Sequence, residues 1–422
     1  MEKTWKYSAL IWYCEERKAM TMGMLSGYRV VDFTNFVSGP TCTRLLADMG
    51  AEVIRIERPD KKKGSGPYKG GERTVDLGLM RGKKSVTLNA KDPEDYQILL
   101  RLIKASDVIV ENFRPGVTKR MGIDYDEIVK VKPDIIYTSI SGFGQESPYK
   151  SRGAFDVIIQ AMSGLMSVTG EKGGKPVRAG VSIADVASGI EAAFGTVCMI
   201  LEREKTGRGN HLDLAMLDTL FAVCNNPVTQ YLCTGTVATR IGNEHPQDVP
   251  WGDFPTADGF FILACGRTNT FRDLCKVLGC MQYVDDPRFC NDEVRLINKQ
   301  ACHEIIGTYT SQWKTADLIE ALTRAGVPCS TVNTIDEACK DKSILFRNMI
   351  VTVSHKTAGS YQLPGTPLKF KNDPIEITKG APILGENNRE IFKKIGLSEH
   401  EIDKVLIKQQ KVRTFFPEYA LD

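Results

Sequence analysis

The fold of this chain is decided by residues 27–59, which read GYRVVDFTNFVSGPTCTRLLADMGAEVIRIERP. Residues 28–33 and 53–57 are short apolar, β-branched runs, and each predicts a buried strand. Between them Pro40 suits a first helical turn, the following residues are apolar at helical spacing, and Gly50 ends the helix. A strand, a helix and a strand in this order predict a parallel strand pair with a right-handed crossover.

The same alternation continues along the chain. Further strands are predicted at residues 85–88, 108–111, 135–140 and 211–214, with helices at 92–104, 125–131 and 183–204. Alternating strands and helices predict the α/β class, with a Rossmann-like parallel sheet covered by helices.

A second, smaller domain is expected because 422 residues exceed the usual size of one hydrophobic core. After about residue 225 turn-forming residues become frequent, and a strand at 260–264 precedes helical patterns at 271–278 and 311–325. This predicts an α+β domain inserted into the larger one. The expected divisions are an N-terminal extension at 1–24, a large domain at 25–225, a small domain at 226–334 and a return to the large domain at 335–422.

Composition excludes several classes of protein. The formal charge of +3 is too small to indicate a nucleic-acid binder, and five histidines in no cluster argue against a metal site. Twelve cysteines without a CxxC pair predict reduced thiols and a cytoplasmic protein. No uninterrupted apolar run reaches the roughly 18 residues of a membrane span, and the apolar patch near the N-terminus is too short for a signal peptide. The glycine patterns of dinucleotide-binding and P-loop proteins are absent, which argues against NAD and nucleoside triphosphates.

Basic residues cluster where predicted strands end, and this edge of an α/β sheet is where ligands bind. They are Arg58, Lys61, Lys62, Lys63, Lys83, Lys84 and Arg120. Either they hold a phosphorylated ligand or they form a solvated basic loop, and spacing alone does not decide between the two.

Asp185 stands in the first turn of the long predicted helix at 183–204. An acidic residue there can simply complement the helix dipole. Alternatively, the carboxylate is a nucleophile that desolvation and an oxyanion site of backbone N–H groups make competent. Small neighbours leave room for a substrate beside it; they are Ala184, Ala187, Ser188 and Gly189.

Several ordered segments together resemble the class III CoA-transferases, the group of formyl-CoA transferase and carnitine CoA-transferase. Besides residues 27–59 they are RGKKSVTLNAKDP, DVIVENFRPGVTKRMGIDY, PDIIYTSISGFGQ, SIADVASGIEAAFGTVCMILEREKTGRG and APILGENN. In that family the nucleophilic aspartate precedes a glycine by four residues and an R-x-K-T-G-R-G segment by eighteen. Asp185, Gly189 and Arg203 match this spacing, and the resemblance extends from Leu25 to about residue 400.

The resemblance implies a transfer of coenzyme A from an acyl-CoA donor to a carboxylic acid acceptor. A covalent aspartyl-CoA thioester would form on Asp185, with no permanently bound cofactor and no metal. It also implies an interlocked homodimer. The positions implied for CoA binding are Val37, Ser38, Arg58, Leu88, Lys91, Asn112, Phe113, Arg114, Arg120, Ser141, Gly142, Phe143 and Gly144.

Two departures from formyl-CoA transferase bear on the substrates. Val37 replaces a glutamine, and residues 250–254 lack the run of glycines that closes over the active site, so formyl-CoA and oxalate are not expected. The racemases of α-methylacyl-CoA share this fold, but they use a histidine where this chain has Phe155. An acyl-CoA-binding protein without catalytic activity is the other alternative, and the retention of Asp185 argues against it.

Overall fold

A computed structural model describes residues 23–60 and 64–415, with side chains as far as residue 410. The described chain forms two compact units. The large unit comprises the residues up to Ser163, Gly180–Asn225 and the chain from Ser343 onward, and the small unit comprises Gly164–Ala179 and Asn226–Lys342. The longer segment of the small unit, Asn226–Lys342, overlaps the small domain expected at 226–334, and the domain limits given from the sequence stay predictions. Nearly all of the expected extension at 1–24 lies outside the described residues.

The strands alternate with helices through the large unit, as the periodicity predicts. The strands are β1 (Arg29–Asp32), β2 (Glu52–Glu57), β3 (Tyr68–Lys69), β4 (Glu72–Arg73), β5 (Lys84–Thr87), β6 (Val108–Glu111), β7 (Ile136–Ser141), β8 (Asn210–Ala215), β9 (Trp251–Thr256), β10 (Gly259–Ala264), β11 (Cys329–Ser330), β12 (Ile350–His355) and β13 (Gly359–Pro364). The helices are α1 (Ser38–Asp48), α2 (Thr74–Leu79), α3 (Pro93–Lys104), α4 (Val117–Met121), α5 (Tyr125–Val131), α6 (Asp156–Met162), α7 (Leu165–Val168), α8 (Ile183–Thr206), α9 (Met216–Val223), α10 (Asn225–Thr234), α11 (Thr268–Leu278), α12 (Asp292–Ile297), α13 (Lys299–Thr310), α14 (Thr315–Arg324), α15 (Ile335–Ala338), α16 (Lys342–Phe346), α17 (Asn388–Lys394) and α18 (Glu399–Phe415).

The main sheet has six strands in the order β5-β2-β1-β6-β7-β8, and every neighbouring pair is parallel. This confirms the predicted α/β class. After β1, strands β2 and β5 extend the sheet on one side of β1, and the later strands β6, β7 and β8 extend it on the other side. The order therefore reverses between β1 and β6, and such a reversal opens a crevice at the carboxyl ends of the strands.

The C-terminal segment belongs to the large unit and covers the exposed edge of β5. The N–H of Thr87 donates to Asn388 Oδ1 at 2.8 Å, and Gln409 Nε2 donates to the carbonyl of the same threonine at 2.6 Å. Phe392 and Ile402 of the same segment are fully buried in the core that packs on the sheet. Covering an edge strand removes a template for unwanted strand pairing, which gives the APILGENN segment a structural role.

Helix α8 is long and apolar enough, by composition, to cross a membrane, and among the described helices it alone passes that test. The search for uninterrupted apolar runs in the sequence did not identify this helix as a candidate membrane span. One face of this helix packs inside the large unit, where Ala192 and Ile200 are buried and Thr196 Oγ1 lies 2.8 Å from Thr138 Oγ1 of β7, whereas other apolar residues of the helix are exposed.

The small unit contains an antiparallel sheet in the order β9-β10-β11, with its own apolar core. Strand β9 falls within residues that the sequence marked only as turn-rich, because Gly252 and Pro255 mask its alternation. The helix predicted from residue 311 begins at Thr315, after the extended residue Lys314. The β12–β13 hairpin of the large unit was not predicted at all.

A buried ion pair joins the start of β5 to the end of β1. Lys83 Nζ lies 2.9 Å from Asp32 Oδ2 and donates to Thr43 Oγ1 of α1 at 2.6 Å, and neither charged side chain has any exposed surface. Burial would raise the pKa of Asp32, but the charges of Lys83 and Arg55 hold it below its ordinary value. Lys83 is therefore a structural residue, and its proposed place in a phosphate-binding cluster is wrong.

Replacing Lys83 with methionine leaves the Asp32 carboxylate buried without its cation. We expect Lys83→Met to lower the free energy of unfolding in urea at pH 8 by about 3–5 kcal/mol. The loss should be smaller at pH 5, because an unpaired buried carboxylate takes up a proton more readily. Lys130→Met is the matched control, since Lys130 forms an exposed pair with Glu127, and it should change stability little. Equal losses in the two variants would contradict this account.

Candidate active site

The crevice between β1 and β6 is closed at its base by an asparagine that follows β6. Asn112 Nδ2 donates to the carbonyl of Asn35 at 2.7 Å, and Asn112 Oδ1 accepts from the N–H of the same residue at 2.7 Å. The amide nitrogen also lies 3.2 Å from Ser38 Oγ at the start of α1. Two of the predicted site residues, Ser38 and Asn112, are thus brought together where the strand order reverses.

Helices α1 and α8 approach each other so closely that one residue between them must be glycine. A Cβ atom at Gly189 would lie 2.6 Å from the carbonyl oxygen of Ser38 and 2.6 Å from Cβ of Thr41. These distances are far below van der Waals contact. Gly189 therefore makes room for α1 and not for a substrate, which corrects the interpretation made from the sequence.

This approach places Asp185, in the first turn of α8, against the start of α1. The Ser38 hydroxyl lies close enough to the Asp185 carboxyl group to lower its pKa. Burial and then the negative charge of Asp156 raise the pKa of Asp185 to about 6, against the opposing effect of Ser38. The carboxyl group is thus largely ionised at neutral pH, but it is a stronger base than an aspartate in water.

The first backbone N–H groups of α8 are occupied by another side chain. Asp156 Oδ1, at the start of α6, accepts from the N–H of Ala184 at 2.8 Å and from that of Asp185 at 3.4 Å. These two groups are therefore not free to form the oxyanion site that the sequence suggested beside Asp185.

The positions predicted for CoA binding follow the carboxyl ends of five adjacent strands. Val37 and Ser38 follow β1, Arg58 follows β2, Leu88 and Lys91 follow β5, Asn112, Phe113, Arg114 and Arg120 follow β6, and Ser141, Gly142, Phe143 and Gly144 end or follow β7. Parallel strands end at one edge of a sheet, so these residues share that edge. Their individual roles stay predictions.

The basic cluster divides into structural residues and residues open to solvent. Lys84 pairs with Glu52 at 2.7 Å, in the same part of the molecule as the buried Lys83. Arg58 is well exposed and pairs with its neighbour Asp60 through two hydrogen bonds of 2.9 and 2.6 Å. Arg114 and Arg120 are exposed as well. Residues 61–63 lie outside the described residues.

Two exposed aromatic side chains beside the site were not recognised from the sequence. Phe36 and Phe155 meet edge to face with ring centroids 6.0 Å apart, and 73% and 61% of them are exposed. Phe36 has φ +60°, a strained conformation for a residue other than glycine, and it stands two residues before Ser38. A single sequence offers no signal for such a backbone conformation.

A second carboxyl group with a raised pKa shapes the turn after β6. Glu111 is buried at the end of that strand, and burial raises its pKa to about 7. Its Oε2 accepts the N–H of Phe113 at 2.8 Å, so the acid holds the turn that carries Asn112.

Within the described ranges, no three His, Cys, Asp or Glu side chains gather as a metal site, and the absence of a resident metal or cofactor stays a prediction.

The chain was compared with known proteins. The family described as CoA-transferase family III matches residues 25–388. A succinate–glutarate CoA-transferase from Agrobacterium fabrum is 35% identical over 87% of this chain and 94% of its own length. An acetyl-CoA:oxalate CoA-transferase from Acetobacter aceti is 36% identical over 91% of this chain and 99% of its own. A crystal structure of a CAIB/BAIF family protein from Brucella suis has a TM-score of 0.80 and 31% identity, covering 89% of this chain and all of that one.

The contact at Gly189 can be tested with a single methyl group. We expect Gly189→Ala to lower the free energy of unfolding by about 1–3 kcal/mol, because the methyl group forces α1 away from α8. Gly78→Ala is the matched control, since Gly78 lies in helix α2 and a Cβ atom there meets nothing within 4 Å. That variant should be neutral or stabilising by up to about 1 kcal/mol. Similar urea unfolding midpoints for both variants would be inconsistent with a tight contact at Gly189.

Proposed function

Because the chain belongs to CoA-transferase family III, we propose that it moves coenzyme A from an acyl-CoA donor to a carboxylic acid acceptor through a covalent thioester on Asp185. The observation that carries the proposal is a half-buried, basic carboxylate at the crevice where the strand order reverses. In the enzyme classification this is a transferase of sulfur-containing groups. The substrates are an acyl-CoA and a free acid, and no permanently bound cofactor takes part.

In the first half-reaction, an oxygen of the Asp185 carboxylate attacks the thioester carbonyl of the donor. The C–S bond breaks, CoA leaves as a thiolate, and a mixed anhydride joins the aspartyl and donor acyl groups. The thiolate then attacks the aspartyl carbonyl, which releases the donor as a free carboxylate and leaves CoA bound to Asp185 as a thioester.

The second half-reaction reverses these steps with the acceptor acid. The acceptor carboxylate attacks the aspartyl thioester, the thiolate leaves, and it then attacks the acceptor carbonyl of the new anhydride. Acyl-CoA of the acceptor leaves and the Asp185 carboxylate is restored. Every step exchanges one acyl bond for another, so no ATP is consumed, and water must be kept out because it would hydrolyse the intermediates.

The environment of Asp185 supports its role as the nucleophile. A carboxylate is a poor nucleophile in water, and its reactivity rises with basicity when hydration is removed. With a pKa of about 6 it is still mostly ionised at pH 7, which the attack on the thioester requires. The Ser38 hydroxyl, beside the predicted CoA-binding edge, lowers the pKa of this carboxyl group and so favours its ionised form.

The site supports transfer better than racemisation. A racemase needs a base on each face of the α-carbon, and the position that holds histidine in that branch is Phe155 here. Its ring meets Phe36 edge to face and cannot act as an acid or a base. The acid pair itself stays open: one relative is named for the longer dicarboxylates succinate and glutarate, and the relative from Acetobacter is named for acetyl-CoA and oxalate.

The proposal predicts a trapped intermediate on one peptide. With a panel of CoA thioesters of acetate, succinate, glutarate, oxalate and formate as donors, the wild-type peptide containing Asp185 should gain the mass of CoA less one water, and hydroxylamine should release the CoA. Asp185→Ala should lower exchange by at least about 10³-fold while CoA still binds. Asp218→Ala is the matched control, since Asp218 also stands in a first helical turn. Full exchange in the Asp185→Ala enzyme would refute the proposal.

We further propose that the enzyme is a homodimer, in the interlocked form that the resemblance implies, and that it works in the cytoplasm. An apolar stripe on α8 supports the association: Ile190, Phe194 and Leu201 lie on one helical face and are 52%, 72% and 57% exposed. Adjacent exposed apolar residues on one helix indicate a surface that another chain covers.

A charge placed in this stripe should impair assembly of the dimer. Interlocked chains cannot separate while both stay folded, so the test begins from unfolded chains. After refolding from urea, we expect Phe194→Glu to give less dimer than the wild-type protein in sedimentation-velocity experiments, because burying an unpaired carboxylate opposes association. Ile407→Glu is the matched control, since Ile407 is 54% exposed on α18, and it should give the wild-type yield of dimer. A wild-type yield from Phe194→Glu would rule out this stripe as the interface.

A further inference from the structure

We propose that Asp156 is a positioning residue for Asp185, and that it acts in two separable ways. Its hydrogen bonds fix the first turn of α8, and its negative charge increases the basicity of the neighbouring carboxylate. This inference rests on the proposed function, because it concerns the residue assigned there as the nucleophile.

The first turn of α8 lacks a cap from its own chain segment. Ser182 stands at the N-cap position, but its side chain makes no capping hydrogen bond. Asp156 supplies the missing acceptor from another helix, and its Oδ1 bonds the N–H groups of the second and third helical residues, Ala184 and Asp185. These are the groups that an N-cap side chain ordinarily satisfies. The backbone of the nucleophile is therefore held directly by Asp156.

The capping carboxylate is itself held rigidly. Gln160, one turn further along α6, donates from Nε2 to Asp156 Oδ2 at 2.6 Å. Gln160 is fully buried and Asp156 nearly so. One oxygen of Asp156 is thus occupied by α6 and the other by α8, which leaves the side chain no freedom to move away from Asp185.

A neutral residue would serve as a cap equally well, since asparagine and serine are also preferred N-cap residues. A carboxylate at position 156 instead sets a negative charge beside the nucleophile. No salt bridge to Asp156 or Asp185 is formed by the residues that the structure describes. The next acid along α8, Glu191, is bonded by the Thr219 hydroxyl of α9 at 2.9 Å.

Three groups therefore set the proton affinity of Asp185, in addition to its burial. Asp156 on α6 raises it, and the Ser38 hydroxyl on α1 lowers it. The N-terminal end of the α8 dipole also favours the charged form. Of these, the charge of Asp156 can be removed while the cap is kept, because asparagine retains the Oδ1 acceptor and a flip of the Gln160 amide turns its oxygen towards the new Nδ2 donor.

The test measures the rate at which wild-type and variant enzymes form the aspartyl-CoA adduct between pH 4.5 and 8, by rapid quenching and intact-protein mass spectrometry. In the wild-type enzyme the rate should rise with pH through a midpoint near 6, as Asp185 loses its proton. In Asp156→Asn the midpoint should move down by about half a unit to one unit, since one like charge is removed while burial remains. The plateau rate of this variant should stay within about tenfold of wild type.

Asp156→Ala removes the cap as well as the charge. Its plateau rate should fall by about 10²-fold at every pH, because the nucleophile is no longer held in position. Asp92→Asn is the matched control: Asp92 caps α3 by accepting from Glu94 and Asp95, and its replacement should leave midpoint and plateau unchanged. The pKa of Glu111 contributes equally to the wild-type and variant profiles, so the difference between them isolates Asp156.

The outcomes separate this inference from the proposed function. If Asp185 never carries CoA, or if Asp185→Ala retains exchange, the proposed function itself is wrong. If Asp185 carries CoA but Asp156→Asn has the wild-type midpoint, only the role of the Asp156 charge is wrong. If Asp156→Ala does not fold, as judged by circular dichroism, the Asn variant decides.

Discussion

The site depends on a contact between two helices that leaves no space for a side chain. Where α1 and α8 meet, the backbone of Ser38 lies against Gly189, and a single Cβ atom there would overlap with it. Both helices begin at the carboxyl edge of the sheet, because α1 follows β1 and α8 precedes β8 in right-handed crossovers. Their close approach brings a hydroxyl group at the start of one helix to a carboxyl group at the start of the other.

The scaffold around this contact uses buried polar groups to fix the strands, and this removes several basic residues from ligand binding. Lys83 ties β5 to β1 and α1 through a pair without exposed surface, while Lys84 pairs with Glu52. Arg58, Arg114 and Arg120 remain towards solvent at the edge where the predicted CoA site lies. The basic residues that form one cluster in the sequence thus divide into two groups. The residues that are paired within the protein stabilise the fold, and the exposed residues are open to a ligand.

Periodicity was enough to predict the six parallel strands, four of the helices between them and the position of Asp185, because each signal lies within a few consecutive residues. The cap by Asp156 was not predictable, since its partners lie 28 and 29 residues away and a first-turn aspartate on α6 has an ordinary local explanation. Strand β9 was hidden by a glycine and a proline. The burial of Lys83 depends on β1, β5 and α1 meeting, which no local pattern contains.

The pKa of Asp185 also describes how readily this carboxyl group accepts partners other than a proton. Burial and the Asp156 charge disfavour the carboxylate relative to its neutral form, by a pKa change from 3.8 to about 6, which is on the order of 3 kcal/mol. The Asp185 side chain is also uncharged in an anhydride or a thioester, so forming either one removes the same electrostatic destabilisation. In the proposed mechanism, the ionised carboxylate of the resting enzyme would be electrostatically destabilised. Each covalent intermediate would therefore be closer in free energy to the free thioesters than the same intermediate formed on an aspartate in water.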